Sequence, residues 1–162
     1  MKIRVSSRAI VVSVATALVA FAATAAEERP YIRSTELPHL GIDKAQAAAF
    51  RTDTVEIKLA PAKQSGWRTE YKVTVNAGDA LVYSLTATAP VISEFHNEIK
   101  PSGAVMFYRE EKATTASHGQ FVSPANGEHG WYVANTTDKP VTVTLKLSGY
   151  YTVKPGFIEI KS

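Results

Sequence analysis

The chain has 162 residues, of which 45% are hydrophobic and 20% are charged, and this is enough for one domain with a buried core. It has no Cys, which excludes a disulfide framework, a Cys-based zinc site and a thiol nucleophile. The net charge is +3, but residues 1–25 carry three of the 18 basic residues and none of the 15 acidic ones, so the rest is neutral. We therefore expect no nucleic-acid partner.

Residues 1–25 predict a secretory signal peptide. Lys2, Arg4 and Arg8 form a basic leader, an apolar run follows over residues 9–22, and the small residues 23–25 fit a cleavage site. The sequence therefore predicts export to the periplasm of a Gram-negative bacterium.

An uncleaved anchor is the alternative for the same segment. Residues 9–26 carry no charge, and a membrane-spanning helix needs roughly 17 to 25 residues. Only in that case do we expect a membrane partner, with the protein held in the inner membrane and facing the periplasm.

Residues 26–52 predict an N-terminal extension. Pro30, Pro38 and Gly41 interrupt any periodicity in its first part. Residues 44–50 contain strong helix formers after Asp43, which is a good N-cap, so we expect one short helix there.

Residues 53–162 predict strands, because the apolar residues now recur with a period of two, as in Val55, Ile57 and Leu59. We expect further strands at 71–75, 81–85, 91–98, 104–108, 120–122, 131–134, 141–147 and 157–160. The turn formers at 76–79 predict a hairpin between two of these strands, and residues 109–119, which lack apolar alternation, predict a surface loop. Eight or nine short strands predict an all-β fold, an antiparallel β-sandwich or jelly-roll.

Residues 128–151 predict a second hairpin, with its turn at 135–140. Val141 and Leu145 belong to an apolar row that alternates with polar residues, which is typical of a half-buried strand. Trp131 is expected in the core.

Three polar residues on one predicted strand are candidates for a site. Glu94, His96 and Glu98 are two positions apart, so their side chains lie on the same face of the strand. His129 opens a strand that could pair beside this one. Two imidazoles and a carboxylate suit zinc, copper or non-haem iron, so the sequence predicts a divalent-metal site at His96, His129, Glu98 and Glu94. The alternative is that these residues form an ordinary polar strand face.

No catalytic residues are predicted from sequence motifs. The chain has no Gly-x-Ser-x-Gly elbow, and no Gly-rich phosphate loop lies between a strand and a helix. Nucleotide cofactors are therefore not expected.

The chain resembles a family of small exported proteobacterial proteins, sometimes labelled transmembrane anchor proteins, which has no agreed activity. The matching residues are Glu70-Tyr71-Lys72, Gly78, Tyr83-Ser84, Phe95-His96, Glu98, Gly127, His129-Gly130-Trp131-Tyr132, Asn135, the VTVTL run and Gly149-Tyr150. More loosely, the late aromatic strand, Asn turn and VTV strand are similar to GOLD-type β-sandwich domains, and this resemblance implies a role in protein interactions.

Three functions follow as hypotheses. The first is a non-catalytic periplasmic binding or interaction module, whose ligand is a protein or a small molecule. The second is a periplasmic metal-binding protein that uses the His and Glu cluster for copper or zinc. The third is a small periplasmic hydrolase or lyase in which Glu94, His96 and Glu98 transfer protons.

Overall fold

Eight antiparallel strands form the part of the protein that the structure, a computed structural model, describes: residues 44–46, 48–99 and 104–159. They are β1 (Arg51–Leu59), β2 (Arg68–Val75), β3 (Ala80–Ile99), β4 (Ala104–Val122), β5 (Gly127–Asn135), β6 (Val141–Gly149), β7 (Thr152–Val153) and β8 (Ile158–Glu159). The prediction of an all-β antiparallel fold is confirmed.

The strands form one hydrogen-bonded sheet in the order β1-β6-β3-β5-β2-β7, with β4 paired to β3 and β8 paired to β2. β3 pairs with β4 along one edge. Along its other edge it pairs with β6 over residues 81–87 and with β5 over residues 91–97. Pro90 lies between these two halves, where the register with β4 shifts, because proline has no backbone N–H to donate to a neighbour.

The sheet curls sharply at this point. Tyr83 and Phe95 lie on the two halves of β3, and a straight strand would place them about 40 Å apart at about 3.3 Å per residue. Their ring centroids are 5.4 Å apart. On β4, Arg109 Nη1 likewise donates to the carbonyl oxygen of His118 at 3.0 Å. The β3–β4 hairpin is therefore folded back on itself around the core.

The core combines the aliphatic row of β6 with an aromatic cluster. Leu145 and Leu147 are fully buried, as the alternation in β6 predicted. Trp131 is also buried, as predicted, and stacks on Phe95 with centroids 4.3 Å apart and ring planes 8° apart. These contacts hold the two halves of the curled sheet together.

Both predicted hairpins are wrong. β5 and β6 are not hydrogen-bonded to each other, because each pairs with a different half of β3. The turn after β2 forms, with Asp79 N donating to Asn76 O at 3.0 Å, but β2 pairs with β5 and not with β3. Alternation reports which face of a strand is buried and says nothing about which strand lies beside it.

The loop predicted at residues 109–119 is also wrong, since these residues belong to β4 and pair with β3. β4 has most of its residues exposed on both faces, so it lacks the apolar alternation of a half-buried strand. β4 is nevertheless a strand, because its backbone is hydrogen-bonded to β3.

The predicted helix at residues 44–50 is absent from the described residues of this segment, which exclude Ala47. A helix this short is unstable in water without tertiary contacts, and here residues without regular secondary structure make the contacts instead. Lys44 Nζ lies 3.1 Å from Asp79 Oδ1, and the Phe50 ring packs edge-on against Tyr150 at 5.5 Å.

The predicted signal peptide and most of the predicted N-terminal extension lie outside the described residues. Within the described part of the chain, no helix has the length and apolar character needed to cross a membrane.

Candidate functional site

Three neighbouring strands bring polar side chains together on the face of the sheet that points away from the core. His96 on β3 is the register partner of Gly130 on β5, and Gly130 is in turn the partner of Lys72 on β2. Because Phe95 and Trp131 point into the core, the adjacent residues His96 and Gly130 lie on the opposite face. Glu94, His96 and Glu98 share this face, as their spacing predicted.

Gly130 is the reason that residues two strands apart can meet. It has no side chain, so Glu70 on β2 extends across β5, and its Oε1 atom lies 3.0 Å from His96 Nε2. A Cβ atom at position 130 would overlap with Glu70 Oε1. Glycine is therefore required at this position for the Glu70–His96 contact.

Lys72 links the two carboxylates of the cluster. Its Nζ atom donates to Glu98 Oε1 at 2.9 Å and lies 3.4 Å from Glu70 Oε2. Burial by itself lowers the pKa of Lys72, but the hydrogen bond to Glu98 and the charges of both carboxylates outweigh it, so the pKa is raised. The same hydrogen bond lowers the pKa of Glu98. Lys72 and Glu98 are therefore both charged at neutral pH.

Most of the cluster is withdrawn from solvent. Glu70, Lys72 and His96 are 5%, 6% and 8% exposed, whereas the side chain of Glu98 is 45% exposed. Glu70 Oε1 and His96 Nδ1 are buried and make no hydrogen bond, and the 3.0 Å contact between Glu70 and His96 lacks hydrogen-bond geometry. The Phe107 ring, 5.6 Å from the His96 ring, flanks the cluster from β4.

Among the described residues, the ligand atoms of Glu70, His96 and Glu98 form the one group that could hold a metal ion, and they all lie within 4.8 Å of one another. Two of the four predicted residues, His96 and Glu98, belong to this group. Glu94 shares their face but lies in the row of Tyr132 and Glu110 and does not join them. Glu70 was missed because the order of the strands was not known, although its alternation with the buried Tyr71 was visible in the sequence.

His129 does not join His96, so the expected pairing of the two histidines is wrong. β3 and β5 are neighbours, but the register places His129 opposite Asn97, one residue away from His96 and therefore on the core face. His129 is fully buried there, and its ring packs 5.2 Å from that of Phe121.

Both ring nitrogens of His129 have partners. Ser123 Oγ donates to the carbonyl oxygen of Ala125 at 2.7 Å, so it accepts the hydrogen bond from His129 Nε2 at 3.0 Å. Nδ1 then accepts from the Tyr108 hydroxyl at 3.3 Å. Burial lowers the pKa of His129, opposed by a backbone hydrogen bond at Ala125. His129 is thus a neutral core residue with satisfied hydrogen bonds.

A cavity of about 380 Å³ lies next to the cluster at the ends of β2, β3 and β5. Glu98 and Glu128 line it, together with Asn97 and Asn126. Glu98 thus belongs both to the cluster and to the wall of this cavity.

A second surface feature lies on β4. Val105, Met106 and Phe107 are consecutive and 44%, 41% and 46% exposed. β4 pairs with β3 on one side only, and its outer edge has no strand partner in the described part of the chain. We call this surface the β4 edge. An unpaired strand edge with exposed apolar side chains is unusual, because natural edges are generally protected by charge.

No protein-family model matches the sequence, and no curated protein is significantly similar to it. Among the solved structures that are similar, two at low identity are a mitogen and a lysozyme inhibitor. The crystal structure of a Yersinia pseudotuberculosis-derived mitogen is 12% identical, covers 67% of this chain and 89% of its own, and has a TM-score of 0.41. That of Aeromonas hydrophila PliG, a periplasmic inhibitor of g-type lysozyme, is 14% identical, covers 67% and 92%, and has a TM-score of 0.37. At these TM-scores neither structure carries an inference about this chain.

Proposed function

We propose that the protein is a non-catalytic binding module of the periplasm that takes an extended segment of a partner protein onto the β4 edge. The observation that carries this proposal is the run of three exposed apolar residues, Val105, Met106 and Phe107, on a strand whose outer edge has no strand partner in the described chain. The periplasmic location rests on the basic leader and apolar run of residues 1–25.

The mode of binding is strand addition. Backbone N–H and C=O groups of an open edge bond to an incoming extended segment, and alternate side chains provide specificity. Val105 and Phe107 are two positions apart and share one face, so they would contact apolar side chains of the partner on that face.

The charges of β4 support a defined binding segment. Arg109, Glu110, Glu111 and Lys112 follow the apolar run after one intervening residue, Tyr108. Charged residues disfavour uncontrolled edge-to-edge association, so the segment open to a partner is the short apolar one. The partner segment is accordingly extended and apolar, with charged residues beside it.

The site residues favour binding over catalysis. In the cluster of Glu70, Lys72, His96 and Glu98, the ammonium group of Lys72 contacts both carboxylates, and its hydrogen bond lowers the pKa of Glu98, which keeps this carboxylate charged rather than poised to exchange protons. His129 has both nitrogens engaged in the core. This distribution supports a binding role.

We also propose that the curled sheet is a two-layer β-sandwich. The contacts between Tyr83 and Phe95 on the two halves of β3, and between Arg109 and His118 on β4, support two layers that face each other across the core.

Selection of displayed peptides tests the binding proposal. Random ten-residue peptides would be selected on the wild-type protein and their affinities measured by calorimetry. Val105→Lys and Phe107→Lys place a charge at the β4 edge, and we expect each to weaken the selected peptides about tenfold or more. Val82→Lys, at a valine of β3 that is 50% exposed, is the matched control and should leave the affinity unchanged.

Three results would overturn the proposal. They are a failure to select any peptide, peptides that bind both β4 variants as well as wild type, and a dimer in sedimentation that Val105→Lys dissociates. The last result would identify the occupant of the edge as a second copy of the chain.

A further inference from the structure

We propose that Glu70, His96 and Glu98 form a binding site for a divalent transition-metal ion, and that the ammonium group of Lys72 competes with the ion for this site. The proposal rests on the polar cluster above Gly130 and not on the apolar side chains of the β4 edge, although Phe107 flanks this cluster.

The donor set fits such an ion. One imidazole nitrogen and two carboxylate oxygens lie within 4.8 Å of one another. Nitrogen and oxygen donors together suit zinc and its first-row neighbours, whereas calcium and magnesium prefer oxygen donors alone.

The contact between Glu70 and His96 points to a shared ligand. Their atoms Oε1 and Nε2 are 3.0 Å apart but do not form a hydrogen bond, so the two groups are not aimed at each other. With metal–ligand distances of about 2.1 Å, two donors at this separation subtend about 90° at a common ion. This geometry is compatible with coordination by both residues.

Burial supplies a separate observation. Glu70 is 5% exposed, and its Oε1 atom accepts no hydrogen bond. A buried carboxylate oxygen without a partner is unfavourable, and coordination to a cation removes that deficit.

When no ion is bound, the ammonium group of Lys72 lies between the two carboxylates of the site. This group contacts Glu70 and Glu98 and offsets one of their two negative charges. A divalent ion offsets both. The flexible lysine side chain can withdraw as the ion enters past Glu98, whose exposed carboxylate lines the adjacent cavity.

Calorimetry with zinc chloride on the full-length, tag-free protein tests the proposal, with metal analysis after gel filtration as a second readout. We expect about one equivalent of bound zinc. Glu70→Gln and His96→Gln should each weaken binding about tenfold or more, because each removes a ligand while keeping the size of the side chain. Lys72→Met should strengthen binding several-fold, since it removes the competing cation.

The control is His118→Gln, which removes an exposed imidazole of β4 outside the cluster and should not change the affinity. Near-UV circular dichroism establishes that each variant is folded. If Glu70→Gln does not fold, the zinc stoichiometry of the wild type and the zinc affinity of His96→Gln decide whether the site exists. Less than about a tenth of an equivalent in wild type, or unchanged affinity in His96→Gln, overturns the site. Unchanged or weaker binding in Lys72→Met overturns the competition.

Discussion

The hydroxyl of Tyr108 lies 3.3 Å from Nδ1 of His129, and this contact completes a chain of hydrogen bonds that runs through the core to Ser123 and Ala125. In this series of hydrogen bonds, Tyr108 donates to His129, His129 donates to Ser123, and Ser123 donates to the carbonyl oxygen of Ala125. Burial lowers the pKa of His129 and keeps it in the neutral form, in which Nδ1 accepts and Nε2 donates.

His129 should make the protein less stable in mild acid. Burial lowers its pKa in the folded state. Its contribution to stability is therefore fully present above the ordinary histidine pKa of about 6.5 and is lost as the pH falls from there through the folded-state pKa. Denaturant unfolding from pH 7.5 to pH 5 measures this loss.

His129→Gln removes the titration, so this part of the pH dependence should disappear even though the variant is less stable by about 1–3 kcal/mol at pH 7.5. His118→Gln, an exposed histidine on β4, is the control and should keep the wild-type profile. An unchanged profile in His129→Gln contradicts the assignment.

Asp53 should contribute to stability down to strongly acidic pH. The hydrogen bonds from Arg51 lower the pKa of Asp53 most, and the hydrogen bond from Tyr151, 2.7 Å to Oδ2, lowers it further. The contribution is present above the ordinary Asp pKa of about 3.9 and declines as the pH falls from there through the folded-state pKa. Asp53→Asn should reduce the pH dependence of the free energy of unfolding in this acidic range, and denaturant unfolding at several pH values measures it.

Tyr151→Phe tests the same group at neutral pH. It removes the hydroxyl that contacts Asp53, and we expect a loss of about 1 kcal/mol in the free energy of unfolding. Tyr150→Phe, at the neighbouring half-buried tyrosine, should change the stability by less than about half of that. Equal effects of the two substitutions would show that the Asp53 contact contributes nothing.

Gly149 should not tolerate a side chain. Its φ is +153°, and an added Cβ would overlap with Ala80 O and lie 2.6 Å from Leu81 Cα, where β6 pairs with β3. Gly149→Ala should therefore lower the free energy of unfolding by about 3 kcal/mol or more, since backbone strain and steric overlap add. Gly66→Ala has strain alone, with φ +80° and open space around it, and should cost about 1–2 kcal/mol. Chemical denaturation of both variants measures the difference.

We expect that Asn135 cannot be replaced by Asp, a side chain of the same shape, without a loss of stability. It is fully buried, and Nδ2 donates to Ala60 O at 2.8 Å and to Lys139 O at 2.7 Å. Asn135→Asp removes both donors and buries a carboxylate against carbonyl oxygens, so we expect a loss of about 2–4 kcal/mol. The matched control is Asn126→Asp, because Asn126 is exposed and accepts a hydrogen bond from Ala77 N through Oδ1, an atom that Asp retains. Thermal unfolding of the two variants at pH 7 should separate them clearly.

The sequence predicted the buried faces of the strands but not the neighbours of each strand. Leu145 and Leu147 were placed in the core correctly, because the period of two is a local property. Strand pairing is not local, so β5 and β6 were joined in a hairpin although β3 lies between them.

The candidate site shows the same limit. His96 and Glu98 were found because they share a strand, whereas Glu70 and Lys72 were missed because they lie on β2, two strands away from β3. His129 was assigned to the wrong face, although it lies two residues before the buried Trp131 on the same strand and therefore shares its core face.

β1 has consequences for how the chain reaches its native state. In the described part of the protein its sole strand partner is β6, and the two are separated by about 90 residues of sequence. During synthesis, Ile57 and Leu59 remain without their strand partners until Val141–Gly149 has been made. The sheet therefore closes late and through long-range contacts, which predicts slow folding.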